Sequence, residues 1–133
     1  MPQRLLFVCT GNTCRSPMAE ALAESKGVTA ASAGVAAQRS DGAAPFAAQA
    51  LQAARGLSLD AHTPRPVDAV DLSAFDRIVA MTPSVAQKLR AAHDNLDDRL
   101  VTWTIPDPYG GSMADYRLCL EQIDTALTRL LSE

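Results

Sequence analysis

The 133-residue chain is poor in aromatic residues, with one tryptophan, two tyrosines and three phenylalanines, so few large rings are available to fill its interior. It has only three cysteines, Cys9, Cys14 and Cys119, and an odd number cannot close a complete disulfide framework. No cysteine pair has the two-residue gap of a zinc ribbon, and His62 and His93 lie far from Cys9 and Cys14 in the sequence, so a structural metal is not expected. No apolar run approaches the roughly 20 residues of a membrane-spanning helix, and the apolar stretch that opens the chain is too short for a secretory signal. Excess positive charge is missing as well. Twelve Lys and Arg against fifteen Asp and Glu give a net charge of −3, which argues against a nucleic-acid-binding face. An anionic ligand would gain nothing from the field of the whole protein and must be held by a local one. These absences together lead to the expectation of a cytoplasmic protein with reduced thiols and with no membrane, nucleic-acid, metal or other cofactor partner.

What is present is enough for a core: 47% of residues are apolar and 20% charged, and the length suits a single domain over residues 1–133. Leu5-Leu6-Phe7-Val8 suits a strand buried on both faces. A polar stretch, Cys9-Thr10-Gly11-Asn12-Thr13-Cys14-Arg15-Ser16, follows, and then the strong helix formers Met18 to Glu24. Ser16 reads as the N-cap of that helix, Pro17 as its first position, Glu20 as a first-turn acid and Gly27 as its end. Further strands are expected at Thr29–Ala33, Asp76–Met81 and Leu100–Thr104. Helices are expected at Ala44–Ala54, stopped by Gly56, and from Pro83 to about Ala92. Tyr116, Cys119, Leu120, Ile123, Leu127 and Leu130 fall on one stripe of a last helix. Strands alternating with helices imply a parallel sheet covered on both faces. Leu59–Ser73, with Pro64 and Pro66, reads as a surface connection.

The informative feature is Cys9 and Arg15 bracketing five residues between a strand and a helix start. Backbone N–H groups of a tight loop, joined by the unpaired N–H groups of a first helical turn, form a cradle for phosphate oxygens. Arg15 adds a planar fork that can hold two of those oxygens. The same positive field favours thiolate over thiol at Cys9, beneath the cradle and in line with phosphorus. Ser16 could donate to the sulfur and improve it as a later leaving group. Gly11 lets the backbone curl, and Asn12 tolerates a positive φ. The plainer reading, a buried cysteine ending a strand beside a solvated arginine, explains neither the Gly-Asn pair inside the loop nor the Ser-Pro after it. The phosphate loop of nucleotide-binding proteins would need a terminal Gly-Lys-Ser/Thr, which is absent.

Val8-Cys9-Thr10-Gly11-Asn12-Thr13-Cys14-Arg15-Ser16-Pro17 resembles the signature of the low-molecular-weight protein tyrosine phosphatase family, and Asp107-Pro108-Tyr109-Gly110-Gly111 resembles that family's general-acid loop. The resemblance implies an α/β fold with a four-stranded parallel sheet, helices on both faces, and the phosphate loop between first strand and first helix. It implies a cysteinyl-phosphate intermediate without metal. The family's roles fall on Cys9 as nucleophile, Arg15 as phosphate clamp and Asp107 as acid and then base, with Asn12 and Ser16 as loop supports; Thr10, Gly11, Thr13 and Cys14 complete the phosphate-binding loop. The chemistry asks for Asp107 independently, because expelling a leaving group from phosphorus needs a proton and the second step needs a base for water. Pro106 and Pro108 would stiffen its backbone.

Tyr109 reads either as a wall of the entrance or as packing on the last helix. Cys14 lies across the loop from Cys9, and oxidation could join the two reversibly. Cys119 reads as packing, His62 and His93 as surface residues, and Trp103 as core. Thr13 resembles the protein-arginine phosphatase branch of the family, whereas tyrosine-specific members usually carry a larger aliphatic residue there. A β-branched hydroxyl at the rim could orient toward guanidinium nitrogens that a bulkier alkyl group would crowd. Phosphoarginine is therefore favoured over phosphotyrosine, on phosphorylated protein substrates, by a monomer or weak dimer. Arsenate reduction would need relay cysteines in a mobile segment, and only Cys119, on a helix, remains. A phosphoprotein-binding module without activity would lack the nucleophile or the acid, and both are present.

Overall fold

The computed structural model describes residues 3–37, 42–96 and 98–133. Every residue from Leu5 to Cys9 is buried, so the first strand has no solvent face, as its unbroken apolar run requires. This strand, Arg4–Cys9 (β1), lies inside a four-stranded sheet with Thr29–Gly34 (β2), Arg77–Ala80 (β3) and Leu100–Thr102 (β4). The strand order is β2-β1-β3-β4, and all three pairings are parallel. The helices are Arg15–Ser25 (α1), Pro45–Arg55 (α2), Pro83–Ala92 (α3) and Met113–Leu131 (α4). This is the single-domain α/β arrangement expected.

Because successive side chains of a strand point to opposite faces, β1 divides its residues between two cores. Leu5, Phe7 and Cys9 join Val79 and Met81 in the core that α1, α2 and α4 cover. Leu6 and Val8 join Ile78, Ala80 and Ala33 beneath Val85, Ala86 and Leu89 of α3. The stripe of α4 is buried as its spacing predicts, over Tyr116, Cys119, Leu120, Ile123, Leu127 and Leu130. Each large aliphatic side chain buried this way contributes about 1.5–3 kcal/mol. A capping box fixes where α4 starts, with the Ser112 hydroxyl accepting from the Asp115 N–H and the Asp115 carboxylate accepting from the Ser112 N–H.

Three local expectations change. Helix α1 begins two residues earlier than expected, at Arg15, with Cys14 in the cap position and no side-chain cap bond, so Ser16 is not the N-cap and Pro17 is the third helical residue. Strand β4 ends at Thr102, although the Trp103 and Ile105 N–H groups still donate to Ala80 and Met81 carbonyls at 2.8 and 2.9 Å. The segment from Leu59 to Ser73 is more than a surface connection. It buries Leu59, Pro64 and Val67, pairs Pro66 with Gly34 and forms two short 3-10 turns, Val67–Ala69 and Leu72–Ala74.

The strand order also places the site. From β1 the chain crosses to β2 on one side and later returns to β3 on the other. Ligands of open α/β sheets bind beyond the carboxyl ends of the strands at such a reversal, and β1 ends there at Cys9.

Candidate active site

After Cys9 the chain curls over the end of its own strand before α1 begins. The Val35 and Ala36 N–H groups donate to the Cys9 and Thr10 carbonyls at 3.0 and 2.9 Å, and the Ala44 N–H donates to the Thr13 carbonyl at 2.7 Å. Asn12 turns the loop in the left-handed region at φ 57°, a conformation that asparagine tolerates better than most residues. Gly11 does not have a positive φ, so the sharp turn expected of it falls on its neighbour.

Asn12 is fully buried and organises the loop from behind. Its backbone N–H donates to the Cys9 sulfur at 3.2 Å, and its Nδ2 donates to Ser16 Oγ at 2.8 Å. Its Oδ1 accepts from the Arg65 N–H at 3.0 Å, while its carbonyl oxygen lies 2.7 Å from His62 Nε2. Ser16 is equally buried. Its oxygen accepts from Asn12 and lies 2.9 Å from the Cys9 sulfur, to which the hydroxyl donates when that sulfur is a thiolate. The serine that the sequence offers as a helix cap thus serves the thiol instead. Two donors converging on one sulfur stabilise negative charge there.

Arg15 is 5% exposed. Its Nη1 donates to the Ile105 carbonyl at 3.0 Å, and its Nη2 stands 3.7 Å from Asp107 Oδ2. The Asp107 carboxylate is half exposed, and its Oδ1 accepts from the Tyr109 N–H at 3.0 Å. The helix opening at Arg15 directs its unpaired N–H groups and positive dipole end to the same region. A cleft of about 260 Å³ joins these groups, lined by Cys9, Thr10, Gly11, Thr13, Cys14, Arg15, Ala44, Asp107, Tyr109 and Tyr116. Of the ten residues expected at the site, eight line this cleft, and Asn12 and Ser16 stand behind the loop. Tyr109 is 85% exposed at the cleft mouth, the position of a wall rather than of packing on α4.

The sequence reading missed several contributors. His62 is not a free surface residue but contacts the loop, and Arg65 holds Asn12 from the same connection. A Cβ on Gly34 would sit 2.6 Å from the Thr10 carbonyl oxygen, so the loop can close only over glycine. Tyr116, read as core, also lines the cleft and meets Phe46 edge-on at 5.6 Å. Burial, foremost, raises its hydroxyl above the usual tyrosine range. His93 is half buried, 3.8 Å from Asp68. Trp103 packs on Phe7 at 5.9 Å, at the edge of the core. Cys119 is buried on α4 as expected, yet its side chain interacts with that of Cys14. Among the described residues no group of three or more His, Cys, Asp or Glu side chains is placed to hold a metal.

The architecture has close counterparts. A protein-arginine-phosphatase of Geobacillus stearothermophilus is 34% identical, over 98% of this chain and 95% of its own. A low molecular weight protein-tyrosine-phosphatase of Streptomyces coelicolor is also 34% identical, covering 99% of this chain and 93% of that one. The crystal structure of a low molecular weight protein tyrosine phosphatase from T. tengcongensis superposes with a TM-score of 0.90 at 30% identity, over 98% of both chains. The model of the low molecular weight phosphotyrosine protein phosphatase family matches residues 4–133, and the chain belongs to that family of cysteine-dependent protein phosphatases.

Proposed function

We propose that this phosphatase hydrolyses phosphorylated protein side chains through a phosphoryl group carried on Cys9, and that it favours phosphoarginine over phosphotyrosine. The observation that carries the reading is the buried Cys9 sulfur, which receives the Asn12 N–H and faces the Ser16 hydroxyl at the base of a cleft shared with Arg15 and Asp107. In the first step the sulfur attacks phosphorus while loop N–H groups and Arg15 hold the three equatorial oxygens, where charge is spread in the transition state. Asp107 protonates the departing nitrogen or oxygen. In the second step the same carboxylate takes a proton from water, the water oxygen attacks phosphorus, and the sulfur leaves as a thiolate steadied by Ser16 and Asn12.

Phosphoarginine is favoured by Thr13, half buried on the cleft wall, whose hydroxyl can accept from a guanidinium. The naming of a relative as a protein-arginine-phosphatase points the same way. Phosphotyrosine is the second reading, supported by the Tyr109 and Tyr116 rings that flank the cleft. The reading takes the enzyme as a monomer or weak dimer in the cytoplasm, and three free thiols suit such a reducing compartment; no helix among the described residues is long and apolar enough to cross a membrane. The test pairs phosphoarginine and phosphotyrosine peptides on wild type, Thr13→Ile and Cys9→Ser. Wild type should prefer phosphoarginine, Thr13→Ile should shift the ratio of kcat/KM toward phosphotyrosine, and Cys9→Ser should abolish both. An unchanged ratio would remove Thr13 as the selector, and residual turnover by Cys9→Ser would remove the covalent route.

A further inference from the structure

The proposed chemistry uses one thiol, yet three converge on the site. Cys9 and Cys14 line the same cleft. Cys14 caps the start of α1, Cys119 lies on the buried face of α4, and both belong to the core that these helices share. The Cys14 and Cys119 side chains interact, and the Cys119 thiol donates to the Pro106 carbonyl oxygen at 3.9 Å. Cys14 thus lines the cleft with Cys9 and shares the core behind it with Cys119. All three are reduced.

We infer that Cys119 is a resolving thiol that moves oxidation off the catalytic loop, displacing Cys9 from a Cys9–Cys14 disulfide and leaving a Cys14–Cys119 disulfide in its place. The inference rests on the reading of Cys9 as the nucleophile.

The oxidant is hydrogen peroxide. The Cys9 thiolate attacks one peroxide oxygen, the O–O bond breaks, and with one proton taken up the products are a sulfenic acid and water. The Cys14 sulfur attacks that sulfenic acid, its S–H proton leaves with the hydroxyl as a second water, and the Cys9–Cys14 bond forms. The Cys119 thiolate, its proton given to solvent, then attacks Cys14. The Cys14–Cys119 bond forms as the Cys9–Cys14 bond breaks, and the electron pair departs on Cys9. This exchange consumes no further oxidant.

Two features of the site favour the last step in that direction. The leaving sulfur is Cys9, whose anion receives the Asn12 N–H and faces the Ser16 hydroxyl, and a stabilised thiolate leaves faster. The attacking sulfur is Cys119: in the reduced protein its contact with Cys14, foremost, pulls its thiol below the ordinary range, and once Cys14 is bridged and has no proton to share, the charge of Arg15 still favours the Cys119 anion. Cys14 is pushed upward by its Cys119 contact and by burial. A sulfur so held is the poorer leaving group, which favours the exchange that releases Cys9 instead. The outcome spares the nucleophile: oxidation ends on two sulfurs that do no chemistry on phosphorus.

The full-length reduced protein is exposed to an equimolar dose of hydrogen peroxide, quenched with iodoacetamide and mapped by mass spectrometry without reduction. Wild type is compared with Cys119→Ser and with the apolar Cys119→Val, which guards against a folding defect in the first. Trypsin cuts after Arg4, Arg15, Arg117 and Arg129, so Cys9 and Cys14 share one peptide and Cys119 lies on another. Wild type should yield the cross-linked pair of peptides with Cys9 alkylated, and should retain most of its activity on an aryl phosphate before any reductant is added. Both variants should yield the bridge within one peptide and lose activity until dithiothreitol is added. A Cys9–Cys14 or Cys9–Cys119 bridge as the end product in wild type would overturn the inference, as would equal inactivation of all three proteins. The map reads sulfur bonds without any phosphorylated substrate, so it stands or falls separately from the phosphatase assay.

Discussion

Asn12 Nδ2 donates to Ser16 Oγ at 2.8 Å and so holds that hydroxyl 2.9 Å from the Cys9 sulfur. A thiolate there can only accept, so the serine hydrogen turns to it when Cys9 is ionised. An asparagine that turns the loop and a serine inside α1 are in this way one device for holding charge on sulfur.

Replacing Asn12 separates its two duties. Asn12→Gly keeps the left-handed backbone but leaves the Arg65 N–H and the Ser16 hydroxyl without their partner, for an expected loss of about 1–3 kcal/mol. Asn12→Ala loses the same bonds and adds roughly 1–2 kcal/mol of left-handed strain. Urea unfolding should rank wild type above Asn12→Gly and Asn12→Gly above Asn12→Ala. Equal stability of the two variants would show that φ 57° costs alanine nothing here.

Asp107 is assigned to proton transfer, so its loss should be felt in proportion to how badly the leaving group needs a proton. Asp107→Asn should lower kcat by about 10²–10⁴-fold on phenyl phosphate, and by clearly less on p-nitrophenyl phosphate. The same loss on both would mean that the carboxylate acts only through its 3.7 Å contact with Arg15.

Gly34 belongs to β2, yet it shapes the loop. A Cβ there would meet the Thr10 carbonyl oxygen at 2.6 Å and the Asn12 nitrogen at 3.1 Å, and both are backbone atoms that cannot swing away. Gly34→Ala should cost about 1–3 kcal/mol as overpacking and raise KM by displacing the cradle. An unaltered melting temperature together with wild-type KM would refute the constraint.

Away from the site, Arg55 Nη2 lies 2.9 Å from both Glu121 Oε1 and Asp124 Oδ2, fastening the end of α2 to α4. The hydrogen bond from Arg55, foremost, holds the Asp124 carboxyl below its ordinary range. A depressed folded-state value stabilises the protein above the unfolded carboxyl range, about pH 4, and that stability is lost as pH falls through the folded value. Arg55→Ala should therefore cost up to about 1 kcal/mol at pH 7, the scale of exposed pairs, and almost nothing near pH 2. Thermal unfolding of both proteins across that range checks the sign.

The parts of the fold that could be read from the sequence were those set by local signals. Leu5-Leu6-Phe7-Val8, with no polar residue, had to be buried on both faces, and the spacing from Tyr116 to Leu130 had to form one stripe. The loop was legible because Cys9, Arg15 and a helix start are local in sequence. Its supports were not. His62 and Arg65 reach Asn12 across 50 and 53 positions, from a segment whose prolines suggest only a surface connection, and Gly34 matters through two backbone atoms that no periodicity connects to it. Ser16 followed the pattern of a cap, but the helix opens at Arg15, so its hydroxyl lies inside the first turn and reaches the Cys9 sulfur instead. Cys119 fitted the apolar stripe perfectly, so nothing local distinguished it from a leucine; only the packing of α1 on α4 brings it to Cys14.

The bond from Arg15 Nη1 to the Ile105 carbonyl ties two sequence-distant halves of the catalytic apparatus to one side chain. The residue that would grip the anion also tethers the strand exit carrying Asp107, so a lysine in its place would keep the charge and slacken the tether. On the proposed assignment, damage at position 15 would therefore reach beyond anion affinity: it would also let Asp107 drift from the bond it is to protonate.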